Sequence, residues 1–199
     1  MTNFENGALD LRPNLAVLTG AGGALALLSA AFLSWPVAIA STVLGILMIA
    51  GAEVDARTYL LPDAVTIGAT VAGILAALLI DPIDPWFGPL LDPWLASGSA
   101  AARAIGCAAA LALLRSSYAR MRGREGLGFG DVKLAAAVGA WLPLDAIPLC
   151  FALAASAALV SVLFAQLRGH AIERATRLPF GAFLCPSLWL VFYAGALAS

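Results

Sequence analysis

Pro36-Val-Ala-Ile-Ala-Ser-Thr-Val-Leu-Gly-Ile-Leu-Met-Ile-Ala-Gly-Ala-Glu-Val54 holds a single ionisable residue, Glu53, one place from its end. A helix rises about 1.5 Å per residue, so about 20 mainly apolar residues cross the roughly 30 Å hydrocarbon core of a bilayer. This stretch meets that requirement, and the pattern recurs on both sides of it. Leu15 to Ser34, Ala64 to Ile80, Ser99 to Tyr118, Val132 to Leu144, Ile147 to Gln166 and Gly181 to Ala198 are similarly apolar. The spacing predicts an all-α polytopic membrane protein of seven transmembrane helices, a single domain over residues 1–199 with a short polar tail at 1–13. Trp35-Pro36 and Asp145-Ala146 leave room only for tight hairpins. The tail lacks the basic start and small-residue cleavage site of a secretory signal, so the first span is expected to be retained.

Composition points the same way. Of 199 residues 62% are hydrophobic and 12% charged, far from the quarter carried by soluble domains and from the polar bias of disordered chains. A net charge of −1 gives no pull toward nucleic acid. The three Cys sit in apolar stretches without CxxC spacing and there is one His, so neither a zinc cluster nor a dithiol pair is expected, and no cofactor or metal is called for. No residue pattern fixes an oligomeric state.

Basic residues mark the cytoplasmic side. Alternate threading of seven spans places every Lys and Arg except Arg103 on one face, with Asp81, Asp84, Asp92 and Asp145 opposite and Trp86 and Trp94 as interfacial anchors. The N-terminus is therefore expected inside. Arg103 is expected to snorkel outward from just inside a helix end. The cluster Arg115, Arg120, Arg122 and Arg124 is explained mostly by topology and anionic membrane lipid, the alternative being that it receives an acidic part of the substrate or a cytoplasmic partner.

Ionisable residues at membrane depth are functional candidates. Asp55 follows the second span in Gly51-Ala-Glu-Val-Asp55-Ala-Arg57-Thr-Tyr-Leu-Leu61-Pro62-Asp63. Asp131 closes Gly126-Leu-Gly128-Phe-Gly130-Asp131-Val-Lys133-Leu134 and opens the next helix. Threading puts both on one face at similar depth. Two carboxylates held close repel, so one keeps a proton while the other stays ionised, and such a pair can activate water and protonate a leaving amine. The plainer alternative for Asp131 and Asp63 is helix N-capping. Against it for Asp131, Gly126, Gly128 and Gly130 permit close backbone approach. The helix it opens is also only about 13 residues, or about 20 Å, long, which sets Asp131 below the membrane surface. Irregular backbone at that depth must be lined by protein or a water-filled cavity.

Gly128-Phe-Gly130-Asp131 resembles the GxGD element of membrane aspartyl proteases, and the longer Gly-Leu-Gly-Phe-Gly-Asp-Val-Lys-Leu resembles the bacterial type IV prepilin peptidases. Asp55 with Leu61-Pro62-Asp63, and Pro179-Phe180-Gly181-Ala-Phe-Leu184, resemble two further motifs of that family in the same order. The resemblance implies that Asp55 and Asp131 form a catalytic dyad. It makes Asp63, Lys133, Gly128, Gly130, Pro179, Phe180 and Gly181 supporting or substrate-binding residues. Lys133 either meets substrate, tunes the dyad or is an inside-facing cation. Glu53 either acts on Asp55 or faces the interface. His170 is read as a loop residue.

The implied activity is an inner-membrane, multi-pass aspartyl endopeptidase removing the cytoplasmic leader of prepilins or pseudopilins. Family members with an N-terminal CxxC region also N-methylate their product. Without such motifs a zinc-independent peptidase lacking that second activity is expected. The rival from another class is a proton-coupled transporter using the same carboxylates as a relay. It requires polar residues through mid-membrane, where the spans hold little beyond Ser and Thr.

Overall fold

A computed structural model describes residues 13–80, 92–123, 128–168 and 179–198. They form seven helices and no strand: α1 (Leu15–Phe32), α2 (Trp35–Thr58), α3 (Asp63–Leu79), α4 (Pro93–Arg122), α5 (Phe129–Trp141), α6 (Ile147–Leu167) and α7 (Phe180–Ala198). Five of these, all but α3 and α5, are long and apolar enough to cross a membrane. The protein is an all-α polytopic membrane protein.

The short α5 lies at the centre, packed against α3, α4 and α7. Leu134, Ala135, Ala137, Val138 and Ala140 are fully buried. Trp141 at its end is wedged into the core, its indole N–H donating to the Ala69 carbonyl of α3 at 2.7 Å and its ring standing edge-on to Phe192 of α7, 5.2 Å away. Space for that ring comes from Gly73, where a methyl group would lie 2.8 Å from the indole. At Gly139 a methyl group would collide with the backbone of Arg103, which is how α4 and α5 come into close contact. Outward-facing leucines, such as Leu27, Leu113 and Leu159, remain exposed on α1, α4 and α6.

The segmentation expected from hydropathy holds, with differences that have physical causes. α2 runs one turn beyond Val54, so Asp55 is inside the helix rather than after it. The helix ends at Tyr59, whose left-handed backbone (φ 56°, ψ 22°) turns the chain toward Leu60. α4 begins at Pro93 rather than Ser99, because Asp92 caps it through Trp94 N–H at 2.9 Å and proline tolerates the first helical turn. The outward snorkelling expected of Arg103 is not observed. Its Nε donates to the carbonyls of Gly139 (3.2 Å) and Leu142 (3.0 Å), and its Nη1 to Ser99 Oγ (3.1 Å). The carbonyls at a helix C-terminus lack intrahelical donors and carry partial negative charge. At the end of α5 they engage the half-buried guanidinium directly.

Candidate active site

The C-terminal turn of α2 and the N-termini of α3, α5 and α7 meet at one end of the bundle and bring together the three sequence motifs. Asp55 is buried. Its Oδ2 accepts the backbone N–H of Ala182 at 2.8 Å, one of the orphan donors in the first turn of α7. Gly181 lies against the same oxygen: a methyl group there would stand 2.8 Å from Asp55 Oδ2 and 2.9 Å from Leu61 Cδ1. Only glycine lets α7 present its first N–H groups to the carboxylate.

Asp131 is half-buried in the first turn of α5 and close enough to Asp55 for the two charges to interact. Gly128, the N-cap of α5, donates its N–H to Asp131 Oδ2 at 3.3 Å. This is the acidic half of a capping box, and glycine has no side chain to supply the other half. Leu61 joins the two sides. Its Cδ1 packs at Gly181, and its Cβ would lie 3.0 Å from a methyl group at Gly130, so the glycine before Asp131 is what admits the α2–α3 connection. Asp55, Gly181, Leu61, Gly130 and Asp131 thus form a continuous set of contacts.

Neither aspartate considered as an N-cap has that role. Pro62 is the N-cap residue of α3 and Gly128 that of α5, leaving Asp63 and Asp131 in the first helical turn. Asp63, which is exposed, receives Lys133 Nζ on Oδ1 at 2.6 Å. Lys133 also lies 5.1 Å from the centre of the Phe129 ring, with the Arg115 guanidinium 5.5 Å from it. The pair links the first turns of α3 and α5, two residues along from half-buried Asp131. Glu53 faces away from Asp55: Oε1 pairs with Arg57 at 3.1 Å and Oε2 accepts the Asn14 N–H at 2.8 Å, tying down the start of α1. Pro179 and Phe180 are half-buried at the head of α7. His170 lies outside the described residues.

One contributor carries no sequence signal of its own: the Ala182 N–H is backbone, and any residue but proline supplies it. Leu61 stands in the Leu61-Pro62-Asp63 motif, but its place between the two aspartates shows only once the glycines that touch it are placed. Cys185, one turn beyond Gly181, is fully buried, its Sγ 3.1 Å from where a methyl group at Gly51 would be. Among the described residues no group of three or more His, Cys, Asp or Glu is arranged to hold a metal ion.

Residues 42–163, which contain both Asp55 and Asp131, match the Type IV leader peptidase family. Among curated proteins, the chain is similar to the prepilin leader peptidase/N-methyltransferase of Dickeya chrysanthemi, 33% identical over 141 residues covering 71% of this chain and 45% of the relative. It is also similar to the protein of the same name from Neisseria gonorrhoeae, 30% identical over 161 residues covering 81% and 50%. A third, from Burkholderia pseudomallei strain K96243, is 34% identical over 140 residues covering 69% and 40%. The chain thus spans about half the length of these relatives or less, and no solved structure matches it. By the family match over most of its length and by these identities, the chain belongs to the type IV leader peptidase family.

Proposed function

We propose that the protein is an aspartyl endopeptidase of the inner membrane that cleaves the short cytoplasmic leader from type IV prepilins or pseudopilins. The observation that carries the reading is the convergence of Asp55 and Asp131, from helices far apart in sequence, at one end of the bundle with glycines on either side. A water held between the carboxyls attacks the scissile carbonyl while the ionised aspartate takes its proton, and the protonated one delivers a proton to the leaving nitrogen. Gly128 N–H and Ala182 N–H fix one oxygen of each carboxyl, leaving the other free for water and substrate. The topology that serves this reaction has the N-terminus and the dyad on the cytoplasmic side, where the leader lies.

Proton-coupled transport through the same carboxylates finds no support in the interior. Beyond Asp55 the buried side chains of α2, α5 and α7 are apolar, among them Leu44, Leu134, Val138, Leu184 and Leu188, except for Ser41, bonded to Ser29, and Ser187, bonded to the Phe183 carbonyl of its own helix. The test is incubation of the purified full chain in detergent or liposomes with a panel of prepilins. Cleavage after the leader is expected from the wild type and from neither Asp55→Asn nor Asp131→Asn, with both variants still folded in the membrane. Full cleavage by either variant would end the aspartyl mechanism.

A further inference from the structure

α1 packs on α2 along its length, with Gly22 against Ile46 and Leu25 against Gly45, and is hydrogen-bonded to the rest of the described protein at its two ends. At the end near Asp55, the Asn14 N–H donates to Glu53. At the other, Ser29 and Ser41 share a hydrogen bond of 2.9 Å and the Tyr193 hydroxyl donates to the Leu28 carbonyl at 3.4 Å. Between these ties α1, α2 and α7 line an open groove of about 640 Å³. Each helix lines it with residues three or four apart, including Ala21 and Ala24 of α1, Met48 and Ala52 of α2, and Ala182 and Pro186 of α7. The slot therefore runs parallel to the helices. From Gly45 to Ala56 on α2 it extends about 17 Å, or about three helical turns.

We infer that this slot receives the apolar helix of the substrate and delivers its N-terminal end to Asp55. The inference rests on the peptidase reading above, and adds to it that what a prepilin keeps after its leader is cut away begins with an apolar helix. Three observations select that occupant. The lining is apolar, with Glu53 as its one ionisable residue, as an apolar helix inside a bilayer requires. Ala182 belongs both to the wall of the slot and to the coordination of Asp55 through its N–H, so a chain leaving the slot at that end arrives at the carboxyl. Glu53, oriented by Arg57 and the Asn14 N–H, stands at the same end. A carboxylate there complements the positive end of an arriving helix and, once the peptide bond is cut, the ammonium of the new N-terminus.

Crosslinking tests this directly. In the Asp131→Asn background, Ala21→Cys and Ala24→Cys are paired with a prepilin that the wild type cleaves, carrying single cysteines along its apolar helix, and Leu159→Cys on the exposed side of α6 serves as the control position. Adducts at positions 21 and 24 with a three-to-four-residue period along the substrate helix, and none at 159, are expected. In the Asp131-intact protein, Ala21→Trp and Ala24→Trp should raise the KM for that prepilin about tenfold or more by filling the slot, with kcat little changed. Adducts no more frequent at 21 and 24 than at 159, together with unchanged KM in the Trp variants, would mean that only lipid occupies the slot and would overturn the inference. A wild type that cleaves no prepilin would instead overturn the peptidase reading itself.

Discussion

Gly181→Ala is the smallest change that separates the geometry of Asp55 from its chemistry. The added methyl carbon would sit 2.8 Å from Asp55 Oδ2 and 2.9 Å from Leu61 Cδ1, where ordinary contacts begin at 3.4 Å, a shortfall of about 0.6 Å on the carboxylate side. Leu61 can yield by rotating, but Asp55 is held by the Ala182 N–H on the very oxygen the methyl strikes. The head of α7 must therefore back away, stretching a 2.8 Å bond to a charged acceptor whose net worth is about 1.5–3 kcal/mol. Overpacking adds about 1–3 kcal/mol, partly offset by the roughly 1 kcal/mol that alanine gains over glycine in a helix. A net loss of about 1–3 kcal/mol of stability is expected. A displacement approaching 1 Å at a reacting group costs up to about a hundredfold in rate, so kcat should fall by about ten- to a hundredfold. Prepilin cleavage kinetics, measured beside thermal unfolding in the same detergent, read both effects. Gly128→Ala, whose methyl would lie 3.2 Å from Asp131 Oδ2, should be milder, and Gly23→Ala, with nothing within 4 Å, should be silent. Wild-type kcat in Gly181→Ala would refute the reasoning, since it would show that Asp55 does not depend on the close approach of α7.

Lys133→Met should cost no more than about 1 kcal/mol of stability, because the pair with Asp63 is exposed, yet lower cleavage by loosening the first turns of α3 and α5. The double exchange Asp63→Lys with Lys133→Asp should recover part of that loss, as kinetics on the purified variants would reveal. Arg103→Met strips the Gly139 and Leu142 carbonyls of their donor and should lower thermal stability by about 1.5–3 kcal/mol, whereas Arg103→Lys, which supplies one donor group, should retain part of it. A reporter fused after Arg120 should be cytoplasmic and one fused at Asp92 external; the reverse result at both would place the dyad on the wrong side for the proposed substrate.

The helices were legible because hydropathy is a property of whole segments, and seven apolar runs leave little freedom in a bilayer. Their ends were less so. The extra turn of α2 contains Asp55 and Arg57, which look like loop residues until the pairing of Arg57 with Glu53 and the burial of Asp55 are known. Asp55 and Asp131 stood out by charge against an apolar background, and Asp131 by its glycines. Their surroundings did not, since the Ala182 N–H and the packing of Leu61 are fixed by tertiary approach. Asp63 and Asp131 each fitted the local signature of an N-cap. The first-turn positions they occupy differ from it by one residue in α3 and three in α5, a shift decided by Pro62 and Gly128 taking the cap. Arg103 was misread for a related reason: its partners lie 36 and 39 residues away, on a helix whose C-terminus it completes.

That completion bears on permeability. The proposed reaction needs water at Asp55 and Asp131, and in a bilayer protons must not then follow a wire of water to the other side. Past Asp131 the core of α5 is Leu134, Val138, Trp141 and Leu142, all essentially inaccessible. The buried hydroxyls of Thr66 and Ser187 are spent on carbonyls of their own helices and those of Ser29 and Ser41 on each other. At the far end the carbonyls that would otherwise draw in water are already taken by Arg103. Among the described residues the polar end of the bundle is thus sealed from the opposite end by apolar packing, with the guanidinium as its stopper, so that the proposed hydrolysis would leave the membrane's barrier to protons intact.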